Sequence, residues 1–139
     1  MIKKDIILKE VGKIIIPLVQ IFGIYIIVNG HLSSGGGFSG GTVLASSLII
    51  MHLIYGEAYV EKNIKKETLI KFISISLIFY AVVKGYSFLS DVYNLPHPAL
   101  GPVGKIFSAG FILYLNIVLG ILVASIFYII FSIFISKEV

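Results

Sequence analysis

Four long apolar runs, residues 14–28, 43–55, 69–89 and 106–135, constrain this chain more than any other feature. The hydrocarbon core of a bilayer, about 30 Å thick, takes about 20 apolar residues in helix at about 1.5 Å each. Inside lipid every backbone N–H and C=O must be paired within the structure, so the runs are expected as helices rather than open strands. Hydrophobic residues make up 58 % and charged residues 13 % of the 139. Soluble domains hold about 45–50 % and about 25 %. The expected fold is a single all-α integral membrane domain, residues 1–139, with four transmembrane helices.

The patterning sets approximate limits. The first helix should run over residues 13–29, with Pro17 tolerable in its first turns. The second should begin between residues 38 and 42 and reach at least 55; the third covers 68–90 and the fourth 105–136. Residues 42–55 give only about 21 Å of helix, short for a bilayer. Either this helix continues through Glu57 and Glu61, or the segment before it dips into the membrane. Irregular backbone at that depth survives only when buried in protein or lining water. The last run has the opposite excess and should tilt or protrude.

The net charge of +4 comes from eleven lysines without arginine. They form no basic patch for nucleic acid. Lys3, Lys4, Lys9 and Lys13 precede the first helix, and Lys62, Lys65, Lys66 and Lys71 lie between the second and third. The segment from Asn29 to Gly41 has none. The positive-inside rule therefore expects both termini and the connection around Lys62 to be cytoplasmic, with the glycine-rich loop between helices 1 and 2 and the Pro96-His97-Pro98 turn outside. The lysine-led N-terminus imitates a signal peptide, but no small-x-small cleavage site follows its apolar stretch, so a retained helix is expected. There is no cysteine, which excludes disulfides and thiolate metal sites within the sequence. Three dispersed histidines suggest no metal site, and no nucleophile–base pair has a recognisable spacing. No catalytic residue and no cofactor are expected.

The stretch over residues 29–42 reads N-G-H-L-S-S-G-G-G-F-S-G-G-T. Gly35, Gly37 and Gly40 spell G-x-G-x-x-G, and Gly35 through Thr42 nearly spell a P-loop. A dinucleotide site needs a preceding strand, and a P-loop needs a lysine where Gly41 stands. Both nucleotide readings are rejected. Glycines permit positive φ and close backbone approach. Ser39 or Thr42 is placed to cap the second helix, and Phe38 to anchor the turn against a neighbouring helix. Gly40, Gly41, Ala45, Ser46 and Ser47 make a surface of small residues suited to tight helix packing. A compact turn and packing face is one reading; a loop lining an ion or water path near another subunit is the other.

Residues 30–41, G-H-L-S-S-G-G-G-F-S-G-G, resemble the hallmark of the B subunit of the multisubunit Mrp-type sodium/proton antiporter, roughly G-H-x-x-P-G-G-G-F-x-G-G. The matching positions include Gly30, His31, Gly35, Gly36, Gly37, Phe38, Gly40 and Gly41. The following A-S-S-L-I-I (residues 45–50) and L-N-I-V-L-G-I-L-V (residues 115–123) are also similar to family sequence. The resemblance implies a membrane subunit that assembles with other subunits of an antiporter-like complex, with sodium and protons as the transported ions. Related subunits also occur in membrane-bound hydrogenase and sulfur-reducing complexes. Ser34 stands where the family commonly has proline, which leaves the turn less restricted. The family also often has a lysine or glutamate near Leu122, and its absence counts against a charge relay on the fourth helix.

Ionisable groups inside a membrane are costly and are functional candidates by default. Lys84 lies well inside the third helix. It either snorkels to the interface or pairs with a carboxylate, in an ion path. His52 suits proton transfer near neutrality or serves as a hydrogen-bonded packing residue. Glu57 and Glu61 share a helix face, with Lys65 four residues after Glu61, as expected of a solvated helix end. Glu57 there is a candidate for the cytoplasmic mouth of a path. Asn116 is expected to hydrogen-bond across helices. Two further readings remain open: a purely structural subunit of a redox-driven membrane complex, and an independent small homo-oligomeric channel.

Overall fold

The computed structural model describes residues 2–32, 35–96 and 110–138, with side chains over residues 6–136 of these. Ser34, His97 and the expected start of the fourth helix near Lys105 lie outside the described residues. Among the described residues five helices follow one another: α1 (Ile2–Val28), α2 (Gly36–Tyr55), α3 (Glu57–Asn63), α4 (Lys66–Tyr93) and α5 (Phe111–Glu138). Four of them, α1, α2, α4 and α5, are long and apolar enough to cross a membrane.

Three limits differ from the sequence expectation. First, α1 starts at Ile2, so Pro17 falls mid-helix rather than in the first turn. Proline removes one amide and leaves the carbonyl four residues back without its usual partner. Second, α2 begins at Gly36, inside the glycine stretch. Its 20 residues span about 30 Å, so its apparent shortness disappears. Gly30 and Gly35 stand in turns ahead of α2, whereas Gly36, Gly37, Gly40 and Gly41 are helical. Third, the chain breaks at Gly56, with φ 85°, and restarts as the short α3. A positive φ favours glycine, which explains a break at this position.

The caps also differ. Gly35, at φ 113°, stands at the N-cap of α2, and no side chain caps that helix. The Ser39 hydroxyl donates to the Gly36 carbonyl at 3.3 Å and Thr42 to the Ser39 carbonyl at 2.8 Å. Both hydroxyls bond backward along the helix. Ser39→Ala and Thr42→Ala are therefore expected to shift stability by less than about 0.5 kcal/mol, in contrast to about 1 kcal/mol for a true cap. Thermal unfolding of the two variants in detergent measures the difference.

Neighbouring helices are identified by residue pairs. Gly12 meets Ile54, and Gly23 meets Leu44, so α1 and α2 are antiparallel. Gly37 meets Asn116, and Gly41 meets Gly120 and Val123, so α2 and α5 run parallel. Tyr86 stacks edge-on against Phe111, while Leu69 packs with Tyr128, so α4 and α5 are antiparallel. The order across the bundle is α1, α2, α5, α4. The start of α1, the end of α5 and α3 consequently lie at one end, and the turns at Gly30 and Gly35 at the other. Helix α4 is the least covered, with only 11 % of its apolar window buried within the chain.

Candidate functional site

The α2–α5 seam is built from absent side chains. A Cβ at Gly37 would collide with the backbone carbonyl of Asn116, and one at Gly41 would lie 2.7 Å from the Gly120 carbonyl oxygen. On the other side of α2, a Cβ at Gly40 would lie 2.8 Å from the Gly23 carbonyl oxygen of α1. Ala45 and Ser47 continue this surface, both buried. Between apolar helices in lipid, close van der Waals packing supplies the attraction that water supplies elsewhere. The glycines thus make α2 the central strut between α1 and α5. Phe38 remains half exposed and meets Phe127 of α5 edge-on, ring centroids 6.3 Å apart. Asn116 presses its backbone against Gly37, and its Nδ2 is buried with no hydrogen-bond partner among the described residues, contrary to the expected cross-helix bond.

The seam leads to a polar cluster at the α3 end. His52, on α2, is buried, and its Nδ1 lies 3.1 Å from the hydroxyl of Tyr128 on α5. Which of the two donates depends on the imidazole tautomer. Phe131 closes over the imidazole edge-on at 5.4 Å. Tyr128 is 1 % exposed and packs with Val60 of α3 and Leu69 of α4. The apolar face of α3 is therefore a plug over the His52–Tyr128 pair.

An ionic clamp holds that plug. Lys66 Nζ donates to Glu57 Oε1 at 2.7 Å and lies 3.1 Å from Glu61 Oε1. Ser136, near the end of α5, donates to the Ser132 carbonyl at 2.8 Å, and its Oγ lies 3.4 Å from Glu57 Oε1. Glu61 pairs with Lys66 rather than taking Lys65 as an i,i+4 partner, because α3 ends at Asn63 and Lys65 no longer follows it on the same helix. Hydrogen bonding and charge from Lys66 hold the Glu57 carboxyl below its ordinary value of 4.5. A carboxyl lowered on folding contributes stability above the unfolded value and loses it as pH falls through the lowered one. The clamp is accordingly expected to stand at neutral pH and to release below about pH 4.5. Raised salt should weaken it, since the partners are partly exposed. Tryptic cleavage at Lys62 and Lys65, in samples pre-incubated across pH and salt and cross-linked before digestion, reads out the release.

The structure brings His52 and Glu57 to the same end of the bundle and leaves Lys84 apart. Lys84 is exposed on α4, with no hydrogen bond or ion pair among the described residues. His31 sits half-buried in the turn beside Gly30. Sequence reasoning missed Tyr128, Ser132 and Ser136. They fall at four-residue intervals on α5, which places them on one helix face.

Residues 7–129 match a family described as "Domain related to MnhB subunit of Na+/H+ antiporter". Similar relatives are the proteins named "Putative antiporter subunit mnhB2" in Staphylococcus epidermidis and Staphylococcus saprophyticus. The first is 34 % identical over 107 residues, covering 73 % of this chain and 76 % of its own. The second is 33 % identical over 122 residues, covering 80 % and 86 %.

Proposed function

The chain belongs to the family of domains related to the MnhB subunit of Na+/H+ antiporter, and from this premise we propose that it serves as a membrane subunit of a multisubunit Na+/H+ antiporter in the plasma membrane. The observation that carries this reading is the match over residues 7–129, which takes in the glycine seam and most of every membrane-length helix. Its work is to hold neighbouring subunits in register and to shape a path for sodium or protons. The lysines at the α3 end, among them Lys9, Lys13, Lys62 and Lys65, orient that end to the cytoplasm. Deleting the gene should abolish sodium-dependent collapse of the proton gradient in everted membrane vesicles, and expressing the chain should restore it. Vesicles that exchange sodium for protons equally well without the chain would contradict the reading.

Helix α4 offers the face for a neighbouring subunit. Lys71 and Lys84 are 13 residues apart on it, about 20 Å of helix, against a hydrocarbon core of about 30 Å. One of the two ammonium groups therefore enters the apolar layer or snorkels fully to its edge. A carboxylate on an adjacent subunit would neutralise Lys84 there. Gly85 beside it has no described residue within 4 Å of its Cβ position, which leaves room for a close helix. Lys84→Gln is expected to weaken retention of the chain in the complex about 10-fold, with Lys84→Arg largely retaining it. Quantitative recovery of partner subunits after detergent washing measures both.

A further inference from the structure

We propose that a proton track runs along α5 from the buried His52–Tyr128 pair to the Glu57–Lys66–Glu61 clamp, with Ser132 as its middle station. The inference rests on the antiporter reading and assigns the proton, rather than sodium, to this path. At the inner terminus, His52 Nδ1 and the Tyr128 hydroxyl are 3.1 Å apart and both nearly excluded from solvent. At the outer terminus, the Ser136 hydroxyl reaches Glu57 Oε1 at 3.4 Å. Beside the clamp a polar hollow of ≈ 310 Å³, lined by Glu61, Lys65, Lys66 and Glu67, opens to water. Between the termini lies Ser132, 1 % exposed, whose Oγ is buried without a hydrogen-bond partner among the described residues.

That hydroxyl is the observation that points to a track. A buried unsatisfied polar group calls for an explanation such as a bound water. Hydroxyls one turn apart on a helix are separated by about 6 Å along the axis, too far for a direct bond and close enough for water to bridge. Among the described residues the charged groups at the track's outer end are Glu57 and Glu61 from α3 and Lys66 from α4, with Lys65 and Glu67 lining the hollow beside them; Lys9, Glu10 and Lys13 of α1 lie at the same end of the bundle. No carboxylate on α5 is needed, since hydroxyls and water carry a proton by exchange.

The transfer balances without a co-reactant. A proton leaving imidazolium Nδ1 is taken by the Tyr128 oxygen, which releases its own proton to the adjoining water. Water passes one on to Ser132 Oγ, which gives its own proton to a second bridging water; that water protonates Ser136 Oγ while the Ser136 hydroxyl, turned from the Ser132 carbonyl, releases its own proton to the Glu57 carboxylate. Each O–H broken is replaced by one formed, so every hydroxyl ends neutral and reoriented. Glu57, held as a carboxylate by Lys66, gives the proton up to solvent readily. Flow in the other direction uses the same bonds in reverse.

The test uses the intact complex. Tyr128→Phe keeps the ring and removes the hydroxyl; Ser132→Ala removes the buried hydroxyl without adding volume. Each is expected to lower sodium-driven proton movement in everted vesicles about 100-fold at unchanged subunit abundance, the scale of a lost proton-transfer group. Should Tyr128→Phe fail to assemble, Ser132→Ala carries the transport test. Wild-type transport rates in an assembled variant would overturn the track and leave the antiporter reading standing. Infrared difference spectra of the purified complex with isotope-labelled histidine, recorded across a pH jump, give a readout independent of transport. The His52 band is expected to slow in Tyr128→Phe; an unchanged His52 response would overturn the track. If the wild-type complex exchanges no sodium for protons, the antiporter reading falls, and the infrared response alone decides the track.

Discussion

Replacing Gly37 with leucine is expected to remove the protein from its complex. A methyl group at that position already strikes the Asn116 backbone, which cannot rotate aside as a side chain can. Helix α5 must move away, and the close approaches at Gly41 and Gly120 open with it. Overpacking at one site costs about 1–3 kcal/mol, and separation along the seam adds the lost packing that holds membrane helices together. Size-exclusion profiles of a fluorescent fusion in mild detergent measure the result. Leu53→Ala on α2 is the control, because its side chain is 63 % exposed and so stands outside the α5 seam. Normal assembly of Gly37→Leu would mean that the α2–α5 contact does not hold the bundle.

Tyr128→Ala is expected to destabilise the α3 end by about 3–5 kcal/mol, the usual cost of deleting a buried aromatic ring. The ring supports Val60 and Leu69, and its hydroxyl is the partner of His52. Truncation leaves a cavity beneath the plug and an imidazole without its bond. Tyr128→Phe removes only the hydrogen bond, which should cost about 1–3 kcal/mol because a buried polar group is orphaned. The gap between the two variants in thermal unfolding separates packing from hydrogen bonding. Equal effects would show that the ring itself contributes little.

The four membrane-length helices were legible because uninterrupted apolar sequence leaves the backbone few alternatives in lipid. Helix α4, expected over residues 68–90, is observed at Lys66–Tyr93. The onset of α2 was not legible. Glycine disfavours helix by about 1 kcal/mol relative to alanine, which argued for a longer loop; packing against Asn116, Ile27 and Gly120 outweighs that local preference. Gly56 was a readable signal, a lone glycine between an apolar run and Glu57, but its positive φ is a property of the folded turn. The His52–Tyr128 pair spans 76 positions of sequence, and no local periodicity connects residues so far apart. The hydroxyl face of α5 could have been found from the spacing of Tyr128, Ser132 and Ser136 alone. Its meaning depends on Glu57 being folded against it by α3. Family resemblance drew attention to the glycine stretch, and the seam geometry explains why side chains are excluded there.

Affinity purification of the tagged chain from membranes in mild detergent, with mass spectrometry of what accompanies it, tests the central claim most directly. The account predicts recovery with the large antiporter-like subunits, and any redox subunits in the same particle would identify a redox-linked setting. Recovery of the chain by itself as a stable homo-oligomer, under conditions that preserve other membrane complexes, would contradict it.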